Sequence, residues 1–212
     1  MAMIKSALEI ALERSKDLKV DEAALEASAL KVEGKKAAGR YLEDPETGGL
    51  GAALAGYPKE KRQSVKEGMF EVLCAQLQLP VGDAGLERMD ALAAGFAALA
   101  GQGGGLLGGV GSAVAEKRVQ SLFQQLSGFF SQYLEDMKNV EQVIRKQWGP
   151  KLREKERQMS ARMGQDVRLD PMMDPEFSAF YKQNVGAARA QYQSALDKAK
   201  ADLASALGIE TK

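Results

Sequence analysis

The chain contains no histidine among its 212 residues. This absence excludes imidazole metal ligands, Ser-His-Asp and Cys-His nucleophiles, and the Glu-x-x-His ligand pairs of di-iron bundles. A single cysteine, Cys74, excludes an intrachain disulfide and any multi-cysteine zinc or iron–sulfur site. No pair of carboxylates stands out as an acid–base couple. We therefore expect a protein that is not an enzyme and binds no cofactor or metal.

An excess of charge of one sign is also lacking, since 29 basic residues balance 29 acidic ones. The chain as a whole therefore does not attract nucleic acid or anionic lipid by its net charge. A charged partner would have to bind a local cluster of charged residues. Charged residues interrupt the apolar opening stretch, which argues against a secretory signal. Together with the lone thiol, this pattern predicts a cytoplasmic location.

Stretches of alternating apolar and polar residues rich in Val, Ile and Thr, which indicate strands, are missing as well. Apolar residues recur instead at helical spacing, so the sequence predicts an all-α fold, an elongated helical bundle. We divide the chain into an N-terminal helical segment (1–43), a Gly/Pro loop (44–57) and a helical bundle (58–212). Within the bundle, proline and glycine positions predict helices over 58–78 and 84–100, followed by a glycine-rich connector at 101–111.

The segment from Ala113 to Gln147 is the strongest structural signal in the chain. Its apolar residues follow a 3,4 alternation resembling heptad a and d positions, interrupted by Asp136: Val119, Leu122, Leu126, Phe129, Tyr133, Val140 and Val143. A second register adds Phe123, Phe130, Met137 and Ile144. The stripe is thus broader than a two-stranded seam, and the helix should touch more than one neighbour.

The length of this central helix bears on assembly. At about 1.5 Å per residue it spans roughly 54 Å. A compact globule of this chain length has a radius of gyration of about 17 Å and hence a diameter in the low forties of ångströms. We therefore expect an elongated molecule or a homo-oligomer.

Gly149 and Pro150 should kink or stop the central helix, with a short charged helix following from Lys151. After a loop, Asp174 and Pro175 are a favourable helix start, and Gly208 a favourable stop. The sequence therefore predicts a long C-terminal helix over about 175–207.

The connector 101–111 contains seven glycines and is a candidate hinge or membrane contact. Its candidate residues are Gly101, Gly103, Gly104, Gly105, Leu106, Leu107, Gly108, Gly109 and Gly111. It lies within residues 91–115, a Gly/Ala-rich tract without a charged residue that is long enough to span a bilayer. The tract holds few large apolar side chains, so its insertion is marginal.

Residues 145–168 form the one basic segment, with a local excess of five positive charges. Together with Trp148 they could bind an acidic protein face or nucleic-acid phosphates, or simply form a solvated helix face. The candidate partner-binding residues are Arg145, Lys146, Trp148, Lys151, Arg153, Lys155, Arg157 and Arg162.

A group of methionines follows the basic segment. Met159, Met163, Met172 and Met173 could form an adaptable apolar docking surface with Phe177, or fill a core. Aspartates 166, 170 and 174 are spaced by four, but turn and capping roles explain them better than a cation site.

The opening of the chain resembles the start of an uncharacterised bacterial family of small helical proteins. The resemblance is carried by KSALEIALER at residues 5–14 and EGKKAAGRYL at residues 33–42, and it covers roughly the first 45 residues. It implies a bacterial cytoplasmic protein, with no assigned activity or site residues.

These observations together favour a non-enzymatic helical interaction or scaffold protein that self-associates as a homo-oligomer, with a further protein partner open. The alternative is a peripheral membrane or nucleic-acid binder that uses residues 91–115 or 145–168.

Overall fold

The computed structural model describes residues 22–46, 49–82, 85–102 and 109–210, with no side-chain description at 109 and 110. Within these ranges the chain forms helices and turns and no strand. The predicted all-α fold is thereby confirmed. The first half of the predicted N-terminal segment, residues 1–21, and connector residues 103–108 lie outside the described residues.

Six α-helices and one short 3-10 turn make up the described fold. The helices are α1 (Glu22–Glu43), α2 (Leu50–Ala55), α3 (Lys59–Gln76), α4 (Met89–Gly101), α5 (Gly109–Met163) and α6 (Pro175–Leu207). The 3-10 turn covers Pro171–Met173. We expected loop throughout 44–57, whereas α2 lies inside it because Leu50 and Leu54, one turn apart, are both fully buried. The chain divides into two compact units, residues 1–72 and 73–212.

In the first unit, α1 and the first part of α3 approach each other at two glycines. A Cβ on Gly34 would overlap the carbonyl oxygen of Val65, and a Cβ on Gly68 would overlap that of Lys31. Only glycine allows this backbone separation. Lys31 and Lys35 of α1 pair with Glu67 and Glu71 of α3, each at 2.7 Å, so the two helices run in the same direction.

In the second unit, α5 is the central helix, with α4 and α6 packed along it. Phe96 of α4 contacts Phe123 of α5, with ring centroids 5.5 Å apart. Farther along α5, residues of increasing number meet residues of decreasing number in α6, since Tyr133 contacts Tyr192 and Trp148 contacts Phe177. The helices α5 and α6 are therefore antiparallel, and the prediction that the central helix touches more than one neighbour is confirmed.

The buried stripe of α5 combines the two predicted registers. From the first it takes Val119, Leu126 and Tyr133, and from the second it takes the positions that we had treated as an addition: Phe123, Phe130 and Ile144. The predicted d-like residue Val143 is 62% exposed. Asp136, the predicted interruption, accepts a hydrogen bond from the Tyr192 hydroxyl, so a polar contact with α6 replaces an apolar one.

We predicted that Gly149 and Pro150 kink or stop the central helix; the stop is wrong, because α5 continues to Met163 with Pro150 inside it. Proline removes one backbone donor and clashes with the Cβ of its predecessor. Gly149 has no Cβ, which relieves that clash. Trp148 before the proline and Leu152 after it pack into the same cluster, and this packing outweighs the lost hydrogen bond.

The C-terminal helix agrees with its prediction at both ends. The Asp174 carboxylate accepts the backbone N–H of Phe177 at 2.9 Å, and Pro175 occupies the first turn. Gly208 ends the helix with φ of 66°, in the left-handed region that glycine favours.

Candidate functional site

The antiparallel pair formed by residues 140–185, which we call the hairpin, has its own apolar cluster. Ile144, Trp148 and Phe177 are its buried members. The Trp148 ring meets Phe177 edge-on at 5.8 Å and lies 5.5 Å from the ring of Phe180. The residues around this centre are only partly buried: Val140, Leu152, Phe180, Tyr181 and Val185. Every described member of the cluster comes from α5 or α6, so it is two helices thick.

Trp148 does not lie on the basic surface where we expected it. The side chain is 8% exposed, and the Lys151 ammonium lies 4.6 Å from its ring centroid. Trp148 is therefore a core residue of the hairpin, and it is unavailable for stacking on a nucleic-acid base or a partner's ring.

The other basic candidates divide into cations with a carboxylate partner and cations without one. Lys155 contacts Asp174 and Glu176 at 2.6 and 3.0 Å, and Arg157 contacts Glu154 at 3.3 Å. Within the part of the chain that the structure describes, the remaining candidates and Arg168 have no carboxylate oxygen within 4.0 Å; they are Arg145, Lys146, Lys151, Arg153 and Arg162. All six are exposed, and two of them have other partners: the Lys151 ammonium lies over the Trp148 ring, and Arg153 Nε donates to the Gly149 carbonyl at 3.3 Å.

The carboxylates of the hairpin are engaged by the fold itself. Asp174 is 8% exposed, and its hydrogen bond to Lys155, followed by the one from the Phe177 N–H, lowers its pKa. Asp170 accepts the Met172 N–H at 3.0 Å, and Glu156 accepts the Leu169 N–H at 3.0 Å. Turn and capping roles thus account for two of the three spaced aspartates. No group of three metal-ligating side chains occurs among residues 22–46, 49–82, 85–102 and 109–210.

Two grooves flank the 3-10 turn. The first, which we call the Tyr181 groove, has a volume of about 570 Å³ and is lined mainly by Glu141, Arg145, Gly149, Leu152, Met172 and Tyr181. On its rim the Tyr181 hydroxyl donates a 2.9 Å hydrogen bond to Glu141. Burial, followed by this hydrogen bond, raises the pKa of Tyr181.

The second, which we call the Met173 groove, has a volume of about 220 Å³ and is lined mainly by Lys155, Gln158, Met159, Arg162, Leu169 and Met173. Met172 therefore lines one groove and its neighbour Met173 the other. The four methionines of the docking hypothesis are exposed, whereas its fifth member, Phe177, is buried.

The glycine-rich candidates are described only in part. Gly101 ends α4, and a Cβ there would lie 2.5 Å from Oε1 of Glu116. Gly109 and Gly111 belong to the first turn of α5. Gly103, Gly104, Gly105, Leu106, Leu107 and Gly108 lie outside the described residues. Among the helices that are described, none combines the length and apolar character needed to cross a bilayer.

The single thiol of the chain, that of Cys74, stays protonated at neutral pH. Burial raises the pKa of Cys74 to about 12, against a smaller opposing effect of Lys200. The thiolate is the nucleophilic form of cysteine, so at neutral pH this side chain is a poor nucleophile.

Sequence reasoning missed Glu141, Tyr181 and Leu169 as groove residues. Glu141 and Tyr181 are 40 positions apart and meet only through the antiparallel register of α5 and α6. No local pattern carries that register, whereas the clustered methionines were a usable local signal.

Comparison with known protein families gives a match over most of the chain. The family of unknown function DUF6657 matches residues 51–205, most of the chain. The comparisons with curated proteins and with solved structures found no match. An uncharacterised family was expected from the sequence, and this is confirmed, although the match lies beyond the first 45 residues that carried the resemblance. The chain belongs to the family of unknown function DUF6657.

Proposed function

We propose that this chain is a non-enzymatic helical interaction protein that self-associates through its hairpin. The observation that carries the proposal is the cluster around Trp148, which has two helices around it and an open groove of about 570 Å³ beside it. Antiparallel helix pairs bury their apolar flanks fully when further helices complete a bundle. A second copy of the hairpin supplies such helices.

The charges on the rim of the Tyr181 groove favour a second copy as the occupant. Glu141 and Arg145 are four residues apart on one helix and both line this groove. A two-fold axis beside Val143, midway between these two residues, would place Glu141 of each copy opposite Arg145 of the other. The groove is thus electrostatically complementary to itself.

The chemistry of the chain supports a role other than catalysis. The sequence contains no histidine, and the Cys74 thiol stays protonated at neutral pH. The burial of Trp148 also weakens the alternative of a nucleic-acid binder, because the basic segment loses its one tryptophan as a stacking platform. We place the protein in the cytoplasm of a bacterial cell, on the basis of its lone thiol and of the resemblance of its opening residues.

Charge reversal tests the self-association. Sedimentation velocity of the full-length protein should show a species heavier than the 22.8 kDa chain, with a share that rises with concentration. Arg145→Glu and Glu141→Arg should each shift the protein to monomer, because each places like charges across the two-fold axis. The double variant should restore the assembly, since it exchanges the two signs.

Lys146→Glu is the matched control, since it makes the same charge change as Arg145→Glu on the next residue, which does not line the groove. It should leave the assembly unchanged. A wild-type monomer at every concentration, or a double variant that stays monomeric, would refute self-association through this groove.

A further inference from the structure

Four methionines near the hairpin tip, where α5 ends and α6 begins, are exposed, and two of them, Met159 and Met173, line the same groove. Met159 is 37% exposed, Met163 58%, Met172 45% and Met173 78%. Exposed apolar side chains that occur singly need no explanation, but a cluster with polar neighbours marks an interaction surface. Methionine is flexible and polarizable, so such a surface adapts to partners of different shape.

The Met173 groove gives this surface a depression. Leu169 is half-buried in it, and Met159 and Met173 line it as well. Its volume of about 220 Å³ suits one large apolar side chain. A few side chains anchored in desolvated pockets carry most of the binding energy of a typical protein interface.

Most carboxylates around the tip have a partner within the hairpin, the exposed Asp166 excepted, whereas some of its cations have none among the described residues. Glu154, Glu156, Asp170, Asp174 and Glu176 are each engaged by an ion pair or a hydrogen bond within the hairpin. In contrast, Arg162, which lines the groove, and Arg168, which adjoins the groove residue Leu169, have no carboxylate within 4.0 Å among the described residues. The fold has thus engaged most of the acids around the tip and left Arg162 and Arg168 without a carboxylate partner among the described residues.

We propose that the Met173 groove binds an acidic amphipathic helix of another protein. The helix places one large apolar side chain between Met159, Leu169 and Met173, and its carboxylates contact Arg162 and Arg168. Arginine suits this role because its planar guanidinium donates two parallel hydrogen bonds to one carboxylate. The proposal rests on the interaction function proposed above but uses a different groove from the one assigned to self-association.

The probe is a synthetic fluorescein-labelled helical peptide, with leucines at spacings of three and four and glutamates elsewhere. Its control has the same leucines with lysine in place of every glutamate. Fluorescence anisotropy with the full-length protein should show binding of the acidic peptide that weakens as salt is added, because salt screens the contacts to arginine. The lysine peptide should not bind.

Variants locate the contact. Met173→Gln and Arg162→Glu change exposed side chains, and each should weaken binding by about tenfold or more, since both residues line the groove. Arg157→Glu is the matched control: Arg157 is equally part of the α5 end, but it does not line the groove. It should alter binding by less than about threefold. Far-ultraviolet circular dichroism should be the same for all three variants.

Three results would overturn the proposal: absence of acidic-peptide binding, equal binding of the lysine peptide, or equal weakening by Arg157→Glu and Arg162→Glu. Displacement of the peptide by duplex DNA, with DNA bound more tightly in an Arg162-dependent way, would also overturn it in favour of nucleic acid. Repeating the titration with Arg145→Glu separates the two proposals. Peptide binding should persist there while self-association is lost, and either property can fail without the other.

Discussion

The ammonium of Lys155 lies 2.6 Å from Oδ2 of Asp174, while Oδ1 of the same carboxylate accepts the 2.9 Å hydrogen bond of the Phe177 N–H. One carboxylate therefore caps α6 and ties its first turn to the end of α5. This tie holds the first turn of α6 at the end of α5, within one turn of the contact between Phe177 and Trp148.

Replacing Asp174 should separate its two roles. Asp174→Asn keeps a good helix cap and removes the charge facing Lys155, whereas Asp174→Ala removes both. We expect the melting temperature to fall in the order wild type, Asp174→Asn, Asp174→Ala, with a loss of about 4 °C for the alanine variant. Differential scanning calorimetry measures this order. Asp166→Ala, at an exposed aspartate in the preceding loop, should have little effect.

The contribution of Asp174 should depend on pH in a defined direction. Its pKa in the folded protein is lowered from the usual 3.8, first by Lys155 and then by the Phe177 N–H. A lowered pKa means that the stabilisation is complete above the unfolded value and is lost as the pH falls through the folded value. The melting-temperature difference between wild type and Asp174→Asn should therefore be constant near neutral pH and shrink below 3.8. A difference that grows with acidification would contradict this assignment.

The Tyr192 hydroxyl should ionise at a higher pH than that of an ordinary tyrosine. The hydrogen bond to Asp136 is the largest cause, followed by burial, and together they raise the pKa of Tyr192 to about 12. Because the protonated hydroxyl is the form favoured by folding, this stabilisation is present below the usual value of 10.0 and is lost as the pH rises through about 12. Absorbance titration at the tyrosinate band should show this ionisation step in the wild type. The step should be absent from Tyr192→Phe, which assigns it to Tyr192. Asp136→Asn should move the step to lower pH, and an unchanged step would exclude the Asp136 contact.

Trp148 should be the main packing residue of the hairpin. Trp148→Ala removes the side chain between Phe177 and Phe180, and we expect a loss of about 3–5 kcal/mol in the free energy of unfolding. Urea denaturation measures this loss. Lys151→Ala removes the ammonium over the ring and should cost about 0.5–1 kcal/mol. As the one tryptophan in the chain, Trp148 also provides a fluorescence signal, which should shift to longer wavelength on unfolding.

Two glycines of α1 should respond oppositely to alanine. Gly34→Ala places a Cβ against the carbonyl of Val65 in α3 and should destabilise the first unit by about 2 kcal/mol. Gly39→Ala has open space around its Cβ and should stabilise the helix by about 0.5–1 kcal/mol. Hydrogen exchange in α1 and α3 should become faster in the first variant and slower in the second. Equal effects of the two substitutions would contradict the close approach at Gly34.

The sequence was sufficient to predict those features whose determining groups lie close together in the chain. The Asp174–Pro175 start and the Gly208 stop of α6 follow from capping oxygen, preset φ and left-handed backbone, and all three act within one turn. The 3,4 spacing likewise identified α5 as a helix, since periodicity needs no knowledge of the neighbours. The spacing did not show which of two adjacent residues faces inward. In the structure Ile144 is buried and Val143 is exposed, because α6 packs on the side of Ile144.

The sequence by itself determined that this protein is helical, where its last helix begins and ends, and which side chains are missing for metal, disulfide and imidazole chemistry. Only the tertiary structure decided that α5 passes through Pro150, that Trp148 is interior, and that methionine and arginine share a groove. The physical reason is distance along the chain. Capping and helix periodicity act over three or four residues, whereas the contacts of Trp148 with Phe177 and of Glu141 with Tyr181 join positions about 30 to 40 residues apart, through a register that packing alone selects.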